Sequence, residues 1–182
     1  MSVTGLLLAA GAGSRMGMPK ALVHDEHGSW LVRAVRVLRE GGCPRVVVVL
    51  GAGADEAEPL VSGLSGVRVV RCEDWASGMG ASLATGLAAT DGEAALVHLV
   101  DLPDVTSAVV ARVLATGAGT ATLARASYDG RPGHPVLLGR DHWAGVADSA
   151  TGDRGARDYL ARHATALVEC GDLAQGHDVD TR

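Results

Sequence analysis

The chain has 182 residues, 47% of them hydrophobic and 20% charged, with a formal net charge of -5. That hydrophobic share excludes intrinsic disorder, and the length suits one domain burying roughly 70% of its unfolded surface without disulfide or metal staples. An acidic balance, 3% aromatics and no Phe exclude a stacking platform and argue against a nucleic-acid partner, though a local basic site for phosphates remains open.

The first apolar run covers residues 5–10. No basic segment precedes it, glycines follow it, and no apolar stretch reaches membrane-spanning length. The chain therefore reads as a soluble cytoplasmic protein without a membrane partner. Further strands are predicted at 45–50, 67–71, 94–100, 120–125, 135–138 and 166–169. The run Val46 to Leu50 is apolar throughout, as a strand buried on both faces of a parallel sheet should be. Helical spacing marks 30–39, with Leu31, Val35 and Leu38 on one face and Gly41-Gly42 as its stop. Helices are also predicted at 79–89, 107–114 and 156–162, the one at 107–114 with Thr106-Ser107 as N-cap. Residues 128–139 break the alternation and read as a loop into a short, antiparallel insertion. Cys43, Cys72 and Cys170 are far apart and lack CxxC spacing, so free buried thiols are expected. Alternating strands and helices imply an α/β sheet covered on both faces, with ligands at the carboxyl ends of the strands.

The loop after the first run reads Leu8-Ala9-Ala10-Gly11-Ala12-Gly13-Ser14-Arg15-Met16-Gly17-Met18-Pro19-Lys20. Glycines let backbone amides approach an anion closely. A P-loop would need Ser or Thr after its GK pair, and Met18 follows Gly17 while Ala21 follows Lys20. A dinucleotide fingerprint would need GxGxxG and an acid after the second strand. Here the spacing is one residue longer, and Leu50-Gly51-Ala52 stands at that strand's end. An Arg and a Lys inside the loop instead suit a triphosphate, whose departing pyrophosphate needs cations placed in advance. Asp101 closes an apolar strand where a carboxylate faces the ligand crevice, and hard oxygen suits Mg²⁺.

This loop resembles the signature of the MobA-like nucleotidyltransferases, with the molybdenum-cofactor cytidylyltransferases as the nearest branch. Residues 73–83, with Ser77-Gly78-Met79-Gly80-Ala81-Ser82, are similar to the family's second motif, and Val100-Asp101-Leu102-Pro103 to its metal motif. Gly130-Arg131-Pro132-Gly133-His134-Pro135 and Gly152-Asp153-Arg154-Gly155-Ala156-Arg157 resemble segments of the cytidylyl branch. The resemblance implies a single Rossmann-like, three-layer α/β domain over 1–182, of the nucleotide-diphospho-sugar-transferase type, with a mostly parallel central sheet. It implies catalytic roles for Arg15, Lys20 and Asp101, and nucleotide contacts at Leu8, Ala9, Ala10, Gly11, Gly13, Ser14, Gly78, Met79 and Ser82. Asp101 becomes an Mg²⁺ ligand. Asp178 or Asp180 supplies a second carboxylate, Asp180 being favoured. Gly133, His134, Arg154 and Arg157 become acceptor contacts.

The implied reaction transfers a nucleoside monophosphate from a nucleoside triphosphate to a phosphorylated acceptor. CTP is favoured, because the Ala10 methyl narrows the base pocket relative to the glycine of guanylyl relatives. A molybdopterin-type acceptor and a molybdoenzyme client follow from the same resemblance. Two other readings stay open. One is an oxidoreductase of pigment or nicotine-type catabolism using NAD(P)H or a flavin, and the other is a non-catalytic cofactor-delivery protein. His98, inside an apolar strand, reads as a satisfied core residue.

Overall fold

The computed structural model describes residues 2–181. Strand β1 (Val3–Ala9) is buried at every position, and its one polar residue, Thr4, donates its hydroxyl to the Asp91 carbonyl at 2.7 Å. After the glycine loop come a single turn of 3-10 helix (Lys20–Leu22) and a minimal hairpin of β2 (His24–Asp25) and β3 (Gly28–Ser29). Helix α1 (Trp30–Glu40) is capped by Ser29, whose hydroxyl accepts from the Val32 amide at 3.3 Å. It buries Leu31, Ala34, Val35 and Leu38 as one stripe. Gly42, with φ 122°, ends it, and the Cys43 amide returns to the Leu38 carbonyl.

The chain continues through β4 (Arg45–Leu50), α2 (Ala54–Val61), β5 (Val67–Arg71), α3 (Met79–Ala88), β6 (Ala94–Leu99) and α4 (Ser107–Leu114). Then follow β7 (Leu123–Tyr128), β8 (Arg131–Gly139), α5 (Trp143–Ser149), α6 (Arg157–Arg162) and β9 (Ala166–Glu169). Seven strands form one sheet in the order β5-β4-β1-β6-β8-β7-β9. All neighbours are parallel except β8, which runs antiparallel to both β6 and β7. The result is one α/β domain with a mostly parallel central sheet.

Strand alternation sends side chains to two layers. One core joins Leu7, Val48 and Leu96 to α1, α2 and α4, and the other joins Leu6, Val49 and Val97 to α3, α5 and α6. Complete burial of Leu7, Leu31 or Leu137 contributes about 1.5–3 kcal/mol each before conformational entropy is counted. Helix α3 lies close on the sheet because Gly86 has no side chain there. A Cβ would sit 2.5 Å from Leu6. All three cysteines are buried and unpaired. No helix among the described residues is long and apolar enough to cross a membrane.

Several elements differ from the sequence reading. The strand expected at 120–125 starts at Leu123, because Gly119 and Thr122 close a turn on each other. The expected loop over 128–139 is instead a hairpin, whose two-residue turn Asp129-Gly130 has φ of 51° and 77° and delivers a nine-residue β8. The runs at 67–71 and 166–169 are strands, but they form the two sheet edges and are partly exposed. Thr106 occupies its N-cap position without a side-chain hydrogen bond. His98 is 1% exposed, yet its Nδ1 has no hydrogen-bond partner, so it is buried without being satisfied. Burial pushes its imidazole down to about 4.

Candidate functional site

Strand order reverses at β1: β4 lies on one side and β6 on the other. Such a switch point opens a crevice at the strands' carboxyl ends. The loop after β1 folds over that crevice. Gly13 holds φ 60°, where a Cβ would run into the Met18 carbonyl oxygen, and the Gly17 amide closes the turn on the Gly13 carbonyl at 2.9 Å. A cleft of about 470 Å³ results. Its wall contains Leu8, Ala9, Ala10, Gly11, Gly13 and Ser14 from this loop, and Gly78, Met79 and Ser82 from the start of α3. Arg15, Lys20, Asp101 and Asp180 line it as well.

The 3-10 turn after Pro19 aims Lys20 at the end of β6. Its Nζ donates to Asp101 Oδ2 and to Asp180 Oδ1, both at 2.6 Å. The Lys20 and Asp101 side chains are only 16% and 15% exposed, so solvent screens this contact little. Burial pulls the Lys20 ammonium down, but the hydrogen bonds and charges of Asp101 and Asp180 outweigh it and raise the pKa. The bond from Lys20 in turn holds Asp180 below its ordinary value. Arg15 reaches Asp180 Oδ2 at 3.0 Å but is 75% exposed, so that pair contributes little energy.

Asp180 arrives from the far end of the chain, along a pinned route. Asp104 accepts from the amides of Gln175 and Gly176 at 2.8 and 3.0 Å. The Tyr128 ring packs on Gly176, and the Val179 amide donates to the Asp101 carbonyl at 3.0 Å. One carboxylate oxygen from each of Asp101, Asp178 and Asp180 then falls within 4.8 Å of the others. Three hard oxygen donors at that spacing fit a divalent cation of the Mg²⁺ type. Both C-terminal aspartates, rather than one of them, belong to this cluster.

A second cavity of about 320 Å³ adjoins the first and shares Met79, Leu99, Asp101 and Asp153 with it. Gly133, His134, Arg154 and Arg157 all line it. His134 is not on an irregular loop but in β8, just before a cis peptide bond to Pro135. Burial, then Arg125, push its imidazole down to about 3, so it is neutral at pH 7. Arg154 is largely engaged by Asp158 at 3.1 Å.

Residues 5–167 match the family of MobA-like NTP transferase domains. The chain belongs to the MobA-like NTP transferase family. It is 39% identical to "Nicotine blue oxidoreductase" of Paenarthrobacter nicotinovorans, over 98% of this chain and 92% of that one. It is 25% identical to the "Molybdenum cofactor cytidylyltransferase" of Escherichia coli (strain K12), over 74% and 69%. The crystal structure of Rv0371c from Mycobacterium tuberculosis H37Rv superposes with a TM-score of 0.82 at 29% identity, covering 100% of this chain and 94% of that one. The same protein in complex with manganese gives 0.78 at 27% identity, covering 98% and 94%.

This MobA-like chain has site residues that the sequence reading passed over. Trp75 walls the first cleft and packs on Gly51, where a Cβ would lie 2.5 Å from the Trp75 Cβ and 2.6 Å from its ring. The acid of a dinucleotide fold would stand near that point. Asp153 joins the two cavities, and Arg125 lines the second. Trp75 and Asp153 lie inside two of the family-like segments, and Arg125 is a charge inside the run Leu123-Ala124-Arg125-Ala126.

Proposed function

We propose that the chain is an Mg²⁺-dependent nucleotidyltransferase that moves CMP from CTP to a phosphorylated acceptor of the molybdopterin type. The observation that carries this reading is Lys20, held 2.6 Å from Asp101 and Asp180 beneath a glycine loop. An oxygen of the acceptor phosphate attacks the α-phosphorus in line, the bond from that phosphorus to the bridging oxygen breaks, and pyrophosphate leaves. Loop amides and Arg15 hold the triphosphate, and Lys20 faces the charge that develops on it. Mg²⁺, held by Asp101, Asp180 and Asp178, would neutralise charge on the phosphate oxygens. Ser82, 5% exposed at the start of α3, offers a hydroxyl to the base edge. The acceptor occupies the adjoining cavity. The molybdenum-cofactor enzyme of Escherichia coli supports the base and the acceptor class, and the manganese complex supports a divalent metal.

The test is pyrophosphate release from CTP and Mg²⁺ with a molybdopterin acceptor. Lys20→Ala and Asp101→Asn each lower turnover about 100-fold or more with the circular dichroism spectrum unchanged, on the scale of removing one preorganised charge. Full activity in either variant overturns the reading. A second reading rests on the 39% identical oxidoreductase relative. It predicts redox turnover of a pigment of nicotine catabolism with NAD(P)H or a flavin, and no need for Lys20.

A further inference from the structure

The cavity beside the nucleotide cleft holds two arginines that make no ion pair among the described residues, although Asp101, Asp153 and Asp178 also line it. Arg125 projects from β7, whose neighbouring residues Leu123, Ala124 and Ala126 are buried and apolar. Its Nε and one terminal nitrogen donate to the Gly133 carbonyl at 3.1 and 3.0 Å. Those bonds fix the plane of the guanidinium without neutralising it. Arg157 lines the same cavity from α6. Among the described residues, no carboxylate comes within ion-pair distance of either, whereas the half-buried Arg33 has Asp25 at 2.6 Å. Burial and then the charge of Arg157 depress the pKa of Arg125, so the two guanidiniums face one another electrostatically. Two like charges in a partly enclosed space repel until an anion comes between them.

The cavity is bipolar. Arg125 and Arg157 line it, with Arg154 held by Asp158, and so do Asp101 and Asp178 of the carboxylate cluster and Asp153. His134 adds no charge at neutral pH. A ligand carrying a phosphate, with two or three oxygens to share between planar forks, fits this arrangement better than a neutral one.

We infer that Arg125, together with Arg157, is the anchor for the phosphate of the acceptor, which binds in this second cavity and not in the glycine loop. The inference rests on the transferase reading for the word acceptor. The anion site itself stands on the geometry of the two arginines. Inorganic phosphate is the probe, titrated calorimetrically at constant ionic strength. Phosphate can also enter the glycine loop, so Arg15→Met is the reference protein. Adding Arg157→Gln to it weakens phosphate binding tenfold or more, and adding Arg125→Met does the same. Arg125 also holds the Gly133 carbonyl, so the exposed Arg157 decides the matter should Arg125→Met misfold. Equal phosphate affinity in Arg15→Met and Arg15→Met/Arg157→Gln overturns the inference, as does absence of binding to Arg15→Met. Phosphate binding that depends on Arg157 in a protein that transfers no nucleotide would leave the anion site intact and remove the transferase reading instead.

Discussion

Lys20 stands where two functions meet. Its ammonium lies 2.6 Å from two of the three carboxylates that fit a divalent cation, and in a loop shaped for a triphosphate. A cation arriving at those carboxylates competes with an ammonium already there. Lys20→Met therefore tightens Mn²⁺ binding to the nucleotide-free protein severalfold, followed by electron paramagnetic resonance of the free ion, while it weakens CTP binding. Weaker Mn²⁺ binding in that variant would mean that Lys20 organises the carboxylates instead of occupying their place. On the proposed reading Ala10 sets the base preference. It is 4% exposed at the inner wall of the cleft, so its methyl takes space a larger base would need. One methyl is worth roughly 1–3 kcal/mol of discrimination. Ala10→Gly accordingly lowers the ratio of kcat/KM for CTP over GTP by about tenfold or more. An unchanged ratio places base selection elsewhere, with Ser82 or Trp75. The place of Lys20 was legible in the sequence because glycines, an Arg and a Lys in one loop state a charge requirement, whereas Ala10 stood out only through the family resemblance. For Trp75 and Asp153 the motif segments were legible but not the side chains' place, since only the folding of α3 and the segment after α5 brings them to the cleft.

At the level of elements, the β7–β8 hairpin shows what sequence patterning misses. Its Gly, Pro and His content argues for a loop. The prolines are tolerated because pairing with β6 begins only at Val136, and because the β7 register slips between Arg125 and Ser127. The dipeptide Asp129-Gly130 was the readable signal, since both positions need positive φ. Helix α2 hid for a different reason: Pro59 interrupts its pattern, and only Ala54, Ala57 and Val61 carry its buried stripe. Helix α5, with Val146 as its buried residue, is too short to show a period. Glu169 fastens the hairpin to β9. Its carboxylate accepts from the amides of Gly171, Gly130 and Asp129 and from the Ser127 hydroxyl. Those donors hold it down at about 2. The contribution of Glu169 is therefore complete above the ordinary glutamate pKa near 4.5 and is lost as pH falls from there to about 2. Denaturant midpoints measured across that window fall less steeply in Glu169→Gln than in the parent chain. Parallel profiles for the two proteins would show that the four hydrogen bonds contribute nothing to stability.

Across the whole molecule, the strand reversal at β1 decides where ligand binding is felt. The cleft takes its walls from the loop after β1, the start of α3, the end of β6 and the segment carrying Asp180. These lie far apart in sequence, so a ligand there cross-links the two halves of the domain and resists global unfolding. Binding at a hundred times the dissociation constant adds about 2.7 kcal/mol. For a chain of this length that raises the melting temperature by roughly 5–11 °C. The prediction is an Mg²⁺-dependent rise of that size with CTP, smaller with GTP, ATP and UTP, and none with NADH, NADPH or FAD. Lys20→Ala should shrink the rise with CTP, because only Arg15 then remains in the loop to meet the phosphates. The 39% identical oxidoreductase relative makes the opposite outcome informative. A rise with NADPH or FAD alone, independent of Mg²⁺ and of Lys20, would mean that redox chemistry occupies the crevice. In that case Trp75 on Gly51, where a dinucleotide fold keeps its ribose-binding acid, would be the first contact to re-examine by substitution.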